Sequence, residues 1–593
     1  MEIPHLGIPL LNGYLRARKI PVTVLDANMA FCRLFPTPEM VRSGREFAEE
    51  RIRILNEKPQ LDFREVVELR THLKGLQGYT ANGSTIEGLL AGNRDIPPAQ
   101  AVPALDAALS ISTLPCFPET VTHFAYDSHH VHYRSQGIIE GVKRASPLLS
   151  STYRNLLSPL IRADHNDVVG LSVCYPSQVV PAFHLARMIK ELAPRTHVTM
   201  GGSFVSLFLQ RTAVPDLFNF IDTLVVGDGE IPLEQLYREL TGPSPDLSRV
   251  PGLIYRSGTK VLRNSPAAPL PMDAHVTPDF DGMALNQSIS KSWQLRLPFR
   301  LSRGCRWGKC AFCRTRTSMV RQCQAPDADT AFEMLRDMVR QTGKRRLYLV
   351  DDAIPLRLLT GLSRKIVQEH LSVNWIVNSR FDPRLDMSRA LQFRQAGCHH
   401  LSMGLEIYND RLLHLVRKGT TTAVIDQVLS SLSWTGLPIH AYMIVGLPTE
   451  TLGEAAMSFR SVTSWLRAGK IMRYFYHRAV IPQESEMFSN PRRYGIRRMF
   501  ADDRNDLKPA VVCFESDGMT GKQATRLANT FNRFGKRTQR SKAVTMDGKV
   551  YPTRYDPKIL EDRIFEVRTS GEGLGLLLEA GMATAPPLRP GSD

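Results

Sequence analysis

Residues 302–316 read SRGCRWGKCAFCRTR, and this stretch contains three of the nine cysteines of the 593-residue chain. Cys305, Cys310 and Cys313 are separated by four and then two residues, so one short loop can bring three thiolates together. Iron–sulfur clusters are held by cysteine thiolates on such loops. Three ligands leave one iron of a [4Fe–4S] cluster open, and an open iron can bind a small molecule. The stretch therefore predicts a cluster with a vacant coordination position.

A structural zinc site is the competing interpretation of these cysteines. Zinc in structural sites takes four protein ligands, and the loop supplies no fourth Cys or His. His399 and His400 are distant in sequence and fall within a predicted strand. The cysteines are flanked by basic residues, which would favour the thiolate form and offset the negative charge of a cluster: Arg303, Arg306, Lys309, Arg314 and Arg316. We therefore favour a cluster over zinc.

An alternation of strands and helices begins at the cysteine loop. Six β/α units of this spacing predict an open or partial barrel, in which chemistry collects at the carboxyl ends of the strands. The predicted strands lie near 297–302, 345–350, 373–379, 399–404, 438–445 and 471–478. After the first strand, which leads into the cysteine loop, polar or flexible residues follow the strand ends: Asp351 and Asp352, Arg380, Glu406, and Gly446 with Glu450.

A separate α/β region precedes the barrel. The runs DVVGLSV, HVTMGG and IDTLVVGDGE predict strands that alternate with the helical runs PAFHLARMIKELAP and IPLEQLYREL. This alternation predicts a doubly wound parallel sheet, whose ligands bind at the carboxyl ends of the strands. The residues at those ends are Ser172, Tyr175, Gln178, Gly201, Gly202, Gly227, Gly229 and Glu230. Near the N-terminus, a helix followed by the strand PVTVLD is also predicted.

The chain is too long for one hydrophobic core. We expect an α/β domain over 1–264 with a helical insertion over about 36–160, a linker over 265–294, the barrel over 295–482 and a basic C-terminal segment over 483–593. The net charge is +17, and Lys470 to Lys542 contain 16 Lys or Arg against 7 Asp or Glu. Because stacking aromatics do not interleave with these charges, we expect a solvated basic face and no nucleic-acid partner.

No stretch of the sequence has the roughly 20 apolar residues of a membrane span. The N-terminal run MEIPHLGIPLL has no basic region or cleavage site, so we expect no signal peptide. The cysteines are few and odd in number, which favours reduced thiols and a cytoplasmic location.

The cysteine loop, the partial barrel and the preceding doubly wound domain together resemble the radical S-adenosylmethionine (SAM) enzymes, in the branch with an N-terminal cobalamin-binding domain. The resemblance covers residues 3–26 and 165–480. In that family one electron from a [4Fe–4S] cluster cleaves SAM and yields a 5′-deoxyadenosyl radical. The resemblance implies that Cys305, Cys310 and Cys313 ligate the cluster and that Phe312 packs near the adenine.

Other motifs extend the resemblance along the barrel. GLEIYND is similar to the fourth-strand motif, which implies that Glu406 contacts SAM. MIVGLPTET is similar to the fifth-strand motif, which implies that the backbone of Ile444–Pro448, including Gly446, lines the adenine pocket. Arg380 matches a polar third-strand position that reaches the SAM carboxylate. Ordinary capping of strand ends is the alternative for each, and Asp351 and Asp352 either face substrate or cap a helix.

The first domain is similar to the cobalamin branch through GDGE, the helix after it and VPGLIYR. An Asp-x-His-x-x-Gly motif is absent, so cobalamin would be held without that histidine. The family's first strand would precede PHLG, so we expect either a misassigned start codon or a sheet that lacks this strand. A Rossmann-like domain that binds no cofactor is the alternative. The other cysteines are expected to be buried free thiols: Cys32, Cys116, Cys174, Cys323, Cys398 and Cys513.

The resemblance implies a cobalamin-dependent methyltransferase that acts on an unactivated carbon of a natural product or peptide. The radical would abstract hydrogen from the substrate, methylcobalamin would deliver the methyl group, and a second SAM would recharge the cobalamin. A reductase or a flavodoxin-type protein would donate the electron. Three alternatives stay open: a non-methylating cyclase or rearrangement enzyme of the same branch, a methylthiotransferase, and a non-catalytic iron–sulfur regulator that binds nucleic acid.

Overall fold

The computed structural model describes residues 5–122, 126–127, 134–144, 147–157, 161, 168–210, 212–272, 276–283, 285, 295–314, 323–500, 507, 511–540, 542–544 and 550–552. Arg316, the side chain of Cys32, residues 286–294 of the expected linker and the chain after residue 552 lie outside that description. The chain divides into two units. The first is Met1–Pro298 with Arg340–Arg346 and Asp502–Pro509, and the second is Phe299–Val339, Leu347–Ala501 and Ala510–Asp593.

The first unit combines helices with a mixed sheet. Its helices are α1 (Gly7–Ala17), α2 (Ala27–Leu34), α3 (Pro38–Asn56), α4 (Phe63–Leu90), α5 (Pro98–Thr113), α6 (Ser135–Lys143), α7 (Pro147–Leu157), α8 (Val179–Leu192) and α9 (Glu230–Thr241). Its strands are β1 (Thr120–Val121), β2 (Tyr126–Asp127), β3 (Val168–Ser172), β4 (His197–Gly201), β5 (Thr223–Val225), β6 (Leu253–Ser257) and β7 (Lys260–Arg263).

The main sheet of the first unit has the strand order β3-β4-β5-β6-β7. Strands β3, β4 and β5 pair in parallel, whereas β6 and β7 form an antiparallel hairpin that extends the sheet. The hairpin was not predicted. The apolar face of α8 contributes Val180, Phe183 and Ile189 to the core beside the sheet. The parallel strands therefore end at one common edge, as the sequence predicts.

The N-terminal prediction is correct for the helix and wrong for the strand. Helix α1 forms, but residues 21–26 belong to no strand. Asp26 instead caps α2 by accepting a hydrogen bond from Met29 N at 3.0 Å. Helix α1 is attached to α9, because Tyr14 Oη donates to Glu234 Oε2 at 2.9 Å and Arg18 forms an ion pair with Glu234 at 2.8 Å. Helical packing therefore overrides the weak strand preference of the β-branched residues in 21–26.

The second unit alternates strands and helices. Its helices are α10 (Ala328–Thr342), α11 (Leu356–Gln368), α12 (Met387–Gln395), α13 (Asp410–Leu415), α14 (Thr422–Trp434), α15 (Leu452–Arg467), α16 (Glu486–Ser489) and α17 (Gly521–Arg540). Its strands are β8 (Leu297–Phe299), β9 (Arg346–Leu349), β10 (Asn374–Ser379), β11 (Cys398–Glu406), β12 (Ile439–Val445), β13 (Arg473–Arg478), β14 (Ile481–Pro482), β15 (Ile496–Phe500), β16 (Val511–Ser516), β17 (Lys542–Val544) and β18 (Val550–Pro552).

The main sheet of the second unit has six strands in the order β13-β12-β11-β10-β9-β8. Neighbouring strands from β10 to β13 pair in parallel. Chain order and spatial order agree, as in a barrel in which each strand is followed by a helix that crosses back to start the neighbouring strand. The predicted fold class, an N-terminal α/β sheet followed by a partial (β/α)6 barrel and a C-terminal extension, is confirmed.

The described part of residues 483–593 is ordered against the barrel. Strands β14, β16 and β15 form an antiparallel sheet. Helix α17 packs on β13, where Tyr474 Oη donates to Phe531 O at 2.9 Å. Phe531 also stacks on Phe459 of α15 with ring centroids 3.9 Å apart. Within the part of the chain that the structure describes, no helix has the length and apolar character that a membrane crossing requires.

Candidate active site

Two carboxylates that follow β9 hold the start of the cysteine loop. Asp351 is fully buried, and its Oδ1 accepts hydrogen bonds from the amide of Ser302 and, at 2.6 Å, from the Ser302 hydroxyl. Asp352 Oδ2 accepts from Gly304 N at 3.1 Å. Burial raises the pKa of Asp351 to about 6. Neither residue caps the following helix, whose N-cap is Pro355. Both hold the loop, and Asp352 also faces the cavity described below.

The middle of the loop is fastened to the segment that follows α13. Trp307 Nε1 donates to Arg417 O at 2.8 Å, and Ala311 N donates to Val416 O at 2.9 Å. The indole lies so close to Gly419 that a Cβ there would collide with the ring. Gly419 also has φ +73°, which a side chain would disfavour. The cysteine loop is therefore held at its start and at its middle by different parts of the barrel.

A cavity of about 380 Å³ lies beside the loop, among residues of the barrel strand ends. All three cysteines of the loop line it. The lining residues are Cys305, Gly308, Cys310, Phe312, Cys313, Tyr348, Asp352, Ala353, Asn378, Ser379, Arg380, Ser402, Gly404, Glu406, Lys418 and Tyr442. The structure thus brings the predicted residues Phe312, Arg380 and Glu406 together with the cysteines.

Two cations lie beside the thiols. Arg380 Nη1 is 3.6 Å from Cys310 Sγ, and its other terminal nitrogen donates to the carbonyl of Lys418. Burial raises the pKa of the Cys310 thiol, whereas the charges of Lys418 and Arg380 act in the opposite direction. The Lys418 ammonium is also 5.8 Å from the Phe312 ring. An anionic group bound at the loop would be partly neutralised by this pair.

Lys418 forms a buried ion pair with Glu406 across the cavity wall. The Nζ–Oε1 distance is 2.7 Å, and the side chains are 6% and 12% exposed. Glu406 has φ +67° and turns back over Gly404, where a Cβ would meet its carboxylate. Sequence reasoning missed Lys418, although it follows the fourth-strand motif by only 12 residues. Its burial is the informative property, and a lysine's burial cannot be seen in sequence.

Gly446 is not among the residues that line the cavity. Its φ is +85°, and a Cβ would approach Ala524 of α17 to 2.5 Å. The buried carboxylate of Glu450 holds this turn by accepting from Gly446 N at 2.6 Å and Leu447 N at 2.9 Å. Burial raises the pKa of Glu450 to about 8, although these two amides act to lower it. Packing of α17 therefore explains this glycine without any ligand.

The residues at the end of β3 in the first unit form a small network. Gln178 Oε1 accepts from Cys174 N at 2.9 Å and from Tyr175 N at 3.1 Å, so this side chain closes the loop. Ser172 Oγ lies 3.7 Å from Cys174 Sγ. Tyr175 is 62% exposed, so the network is accessible to solvent at this residue. His5, which sequence reasoning missed, lies 2.9 Å from the Cys174 sulfur through its Nε2.

The other predicted residues of this edge have mixed surroundings. Gly202 has φ +103° and packs against the Val173 backbone, and Gly227 N donates to Ser206 Oγ at 3.0 Å. A Cβ at Gly201 would make ordinary contacts, 3.6 Å from Val225 O. Gly229 packs against Leu11 of α1, and Glu230 is buried in the first turn of α9. Gly229 and Glu230 are thus directed toward the protein interior.

Residues 299–462 match the family profile of the Radical SAM superfamily. The matched region contains the cysteine loop, strands β9–β12 and every cavity-lining residue described above. This region of the chain is therefore a radical SAM domain.

Among curated proteins, an uncharacterized methyltransferase of Pyrococcus horikoshii is 25% identical over 315 residues, which cover 51% of this chain and 65% of that protein. An anaerobic magnesium-protoporphyrin IX monomethyl ester cyclase of Rubrivivax gelatinosus is 24% identical over 306 residues, covering 50% of this chain and 54% of the cyclase. The alignments thus span less than two thirds of each relative. The solved TsrM methyltransferase of Kitasatospora setae, described with cobalamin and a [4Fe–4S] cluster bound, has a TM-score of 0.48 at 15% identity and covers 65% of this chain and 80% of its own.

Proposed function

We propose that this chain is a cobalamin-dependent radical SAM methyltransferase that acts on a carbon of a small natural product or a peptide. The observation that carries the proposal is the cavity at the cysteine loop. It combines three thiols, two cations, two carboxylates and three aromatic rings within about 380 Å³. Such a set suits a compact iron–sulfur cluster and a zwitterionic, adenine-bearing ligand beside it.

The residues fit a cluster better than a single metal ion. Among the described residues, no three His, Cys, Asp or Glu side chains converge as ligands of one ion would. Cys305, Cys310 and Cys313 instead line a common cavity, and thiolates can reach three corners of a larger cluster from there. A [4Fe–4S] cluster held by them would supply the electron that cleaves SAM. Arg380 and Lys418 would offset its negative charge.

The remaining lining residues suit the polar parts of SAM. Glu406 is an acceptor for the methionine ammonium, and Arg380 can form the paired hydrogen bonds that a carboxylate prefers. Phe312 offers a ring against which an adenine can pack. Tyr348 donates to Asn378 Oδ1 at 3.3 Å, which places polar groups elsewhere on the cavity wall. These groups favour a substrate with hydrogen-bonding atoms near its reacting carbon.

Cobalamin binding is supported by the edge of the first sheet. The loops after β3, β4 and β5 meet there, and two of them have a glycine within two residues of the strand end, Gly202 and Gly227. Backbone without side chains permits the close approach of a large flat ligand. The exposed Tyr175 and the Cys174–His5 pair lie at the same edge and offer contacts to such a ligand.

Radical generation can be tested without knowing the substrate. The chain is reconstituted anaerobically with iron and sulfide, reduced in the presence of SAM, and assayed for 5′-deoxyadenosine by mass spectrometry. A Cys305→Ala, Cys310→Ala, Cys313→Ala variant should lose its iron and at least about 100-fold of the product. Cys323→Ala and Cys513→Ala, which alter cysteines outside the proposed ligand set, should retain both. Persistent deoxyadenosine in the triple variant would overturn the proposal. In the cell, a reductase or flavodoxin-type protein would replace the chemical reductant.

A non-methylating cyclase of the same branch is the second candidate, because one relative carries the name of a cyclase. The two are separated by SAM with a deuterated methyl group. A methyltransferase should move the label to bound cobalamin and then to product, whereas a cyclase product should contain none.

Two other classes have less support. A methylthiotransferase needs additional cluster cysteines in its N-terminal domain, whereas Cys32, Cys116 and Cys174 are far apart in the sequence. A nucleic-acid-binding regulator would need no SAM cleavage. Salt-sensitive DNA binding without deoxyadenosine formation would identify it.

A further inference from the structure

A row of polar side chains crosses the inner face of the barrel sheet. The pairing register aligns one residue from each of four neighbouring strands, β10 to β13: Asn378, Ser402, His440 and Arg473. Tyr348 of β9 joins this polar row, because its hydroxyl donates to Asn378 Oδ1 at 3.3 Å. Paired residues of neighbouring strands lie on the same face of a sheet, and Tyr348, Asn378 and Ser402 line the cavity. The polar row therefore faces the interior of the barrel.

The composition of the polar row differs from that of an ordinary barrel interior, whose inward-facing layers are mostly Val, Ile and Leu. Polar groups in an interior need hydrogen-bond partners. Asn378 has them, since its Nδ2 donates to Asp351 O at 2.9 Å and its Oδ1 accepts from Tyr348. Arg473 is exposed and has neither a carboxylate nor a hydrogen-bond partner within the part of the chain that the structure describes. Its guanidinium is thus available to a ligand.

The charge of Arg473 acts into the barrel. Burial raises the pKa of Tyr348, and the positive charge of Arg473 acts to lower it. Three strands separate β9 from β13 in the sheet, so a flat sheet would hold these two residues roughly 19 Å apart. A charge at that distance would be largely screened. The curvature of the sheet therefore brings the guanidinium toward the phenol across the barrel.

The polar row carries no negative charge. Burial and the nearby Arg473 lower the pKa of His440 to about 4, so the imidazole is neutral at pH 7. The carboxylates that line the cavity belong to other levels of the barrel: Glu406 lies four residues after Ser402 on β11 and is paired with Lys418. At about 3.3 Å per residue, Glu406 is about 13 Å further along the strand. An anion at the polar row would meet one cation and neutral hydrogen-bonding groups.

An aromatic ring lies next to Arg473 on the same face of β13. Phe475 follows two residues later and pairs with Tyr442, which lines the cavity. The Phe475 side is 40% exposed, whereas Tyr474 on the opposite face is buried against α17. Strand β13 therefore presents a cation and an apolar ring on its inner face, which suits a ligand with an anionic end and an apolar body.

We propose that Arg473 determines substrate specificity by binding an anionic group of the substrate, a carboxylate or a phosphate, while Phe475 packs against the apolar part beside it. The inference rests on the function proposed above and adds a substrate class to it. A guanidinium forms paired hydrogen bonds with either anion, and the hydroxyls of Tyr348 and Ser402 are further donors in the same row. The distance along the barrel from Glu406 keeps this anion apart from the groups proposed to bind SAM.

The test uses three matched probes: 3-phenylpropionate, 3-phenylpropyl phosphate and the neutral 3-phenylpropionamide. The full chain is reconstituted with its cluster and kept unreduced with saturating SAM, so that Arg380 is occupied. Dissociation constants are measured by ligand-observed NMR titration. The wild type should bind at least one anion about tenfold more tightly than the amide. The tighter of the two anions distinguishes a carboxylate site from a phosphate site.

The variants assign the preference to one side chain. Arg473→Gln should bind the anions and the amide equally, and Arg473→Lys should keep part of the preference, because the charge remains and the planar fork is lost. Phe475→Ala should weaken the binding of all three probes. Lys470→Gln removes a positive charge that lies outside the polar row and before β13, and it should behave as the wild type. A wild type without preference, or a preference that Arg473→Gln retains, would overturn the proposal.

A second measurement covers misfolding of the variants. Phenylglyoxal should modify Arg473 in the wild type, as mapped by peptide mass spectrometry, and the preferred anion should suppress this modification where the amide does not. Unchanged modification of Arg473 with bound anion would contradict the site. The deoxyadenosine assay separates the two proposals. A wild type that forms deoxyadenosine but lacks the preference would overturn only the anion site, whereas an Arg473-dependent preference without deoxyadenosine would uphold that site and overturn the radical chemistry.

Discussion

Asn532 on α17 forms two hydrogen bonds with the backbone of Tyr476 on β13. Its Nδ2 donates to Tyr476 O at 2.9 Å, and its Oδ1 accepts from Tyr476 N at 2.8 Å. Strand β13 is the last strand of the six-stranded sheet, so its outer edge has no neighbouring strand within that sheet. The amide side chain satisfies the edge as a peptide group of another strand would. Helix α17 is therefore part of the barrel.

Asn532→Ala should destabilise the second unit by about 2 kcal/mol, because it leaves two backbone groups of Tyr476 without partners. The free energy of unfolding, followed by urea titration, measures the loss. Asn529→Ala is the matched control, since Asn529 is exposed one turn earlier on the same helix, and its substitution should change the stability by less than about 0.5 kcal/mol. Equal effects of the two variants would contradict the role of Asn532.

Gly419→Ala should impair loading of the cysteine loop, because the new methyl group would displace Trp307. We expect the iron content after reconstitution to fall at least about threefold. Gly469→Ala is a matched control: both glycines have φ +73°, but nothing lies within 4 Å of a Cβ at Gly469. The control should share the backbone strain and keep its iron. Equal iron loss in both variants would show that strain, and not the Trp307 contact, matters.

Lys418→Met should destabilise the protein by roughly 3 kcal/mol, because it leaves the Glu406 carboxylate buried without its partner. Combining it with Glu406→Gln should restore much of the loss, since the uncompensated charge is then removed. Lys365→Met is the control, because the Lys365–Asp329 pair is largely exposed and such pairs contribute little. Urea titration of the four proteins tests this, and a double variant no more stable than Lys418→Met would refute it.

Glu450 should make stability depend on pH in the alkaline range. Its folded-state pKa of about 8 exceeds the ordinary value of 4.5, so the folded chain binds this proton more tightly than the unfolded chain. Its contribution is therefore complete below pH 4.5 and is lost as the pH rises to about 8. Between pH 6 and 8.5 the wild type should lose roughly 2–3 kcal/mol relative to Glu450→Gln. If the unfolding free energies of the wild type and Glu450→Gln changed equally with pH across this range, the raised pKa of Glu450 would be contradicted.

Much of the fold could be predicted because its signals are local. The strands of the barrel lie within a few residues of their predicted positions, since buried parallel strands read as short apolar runs between turn residues. The strand predicted over residues 21–26 does not form. β-branched composition gives only a weak preference for a strand, and packing of the adjoining helices overrides it. The β6–β7 hairpin was not predicted, because the VPGLIYR run was interpreted as a family motif and not as a strand.

The sequence by itself identified the radical SAM region of this chain, because Cys305, Cys310 and Cys313 lie close together in the sequence and their spacing can be recognised without a structure. It also located the strand ends at Arg380 and Glu406. Only the tertiary structure decided which partners those residues have. Lys418, Asn532 and His5 reach theirs from 12, 56 and 169 residues away. The roles of these residues depend on burial and on the distance between side chains that are remote in sequence, and neither property can be read from the sequence alone.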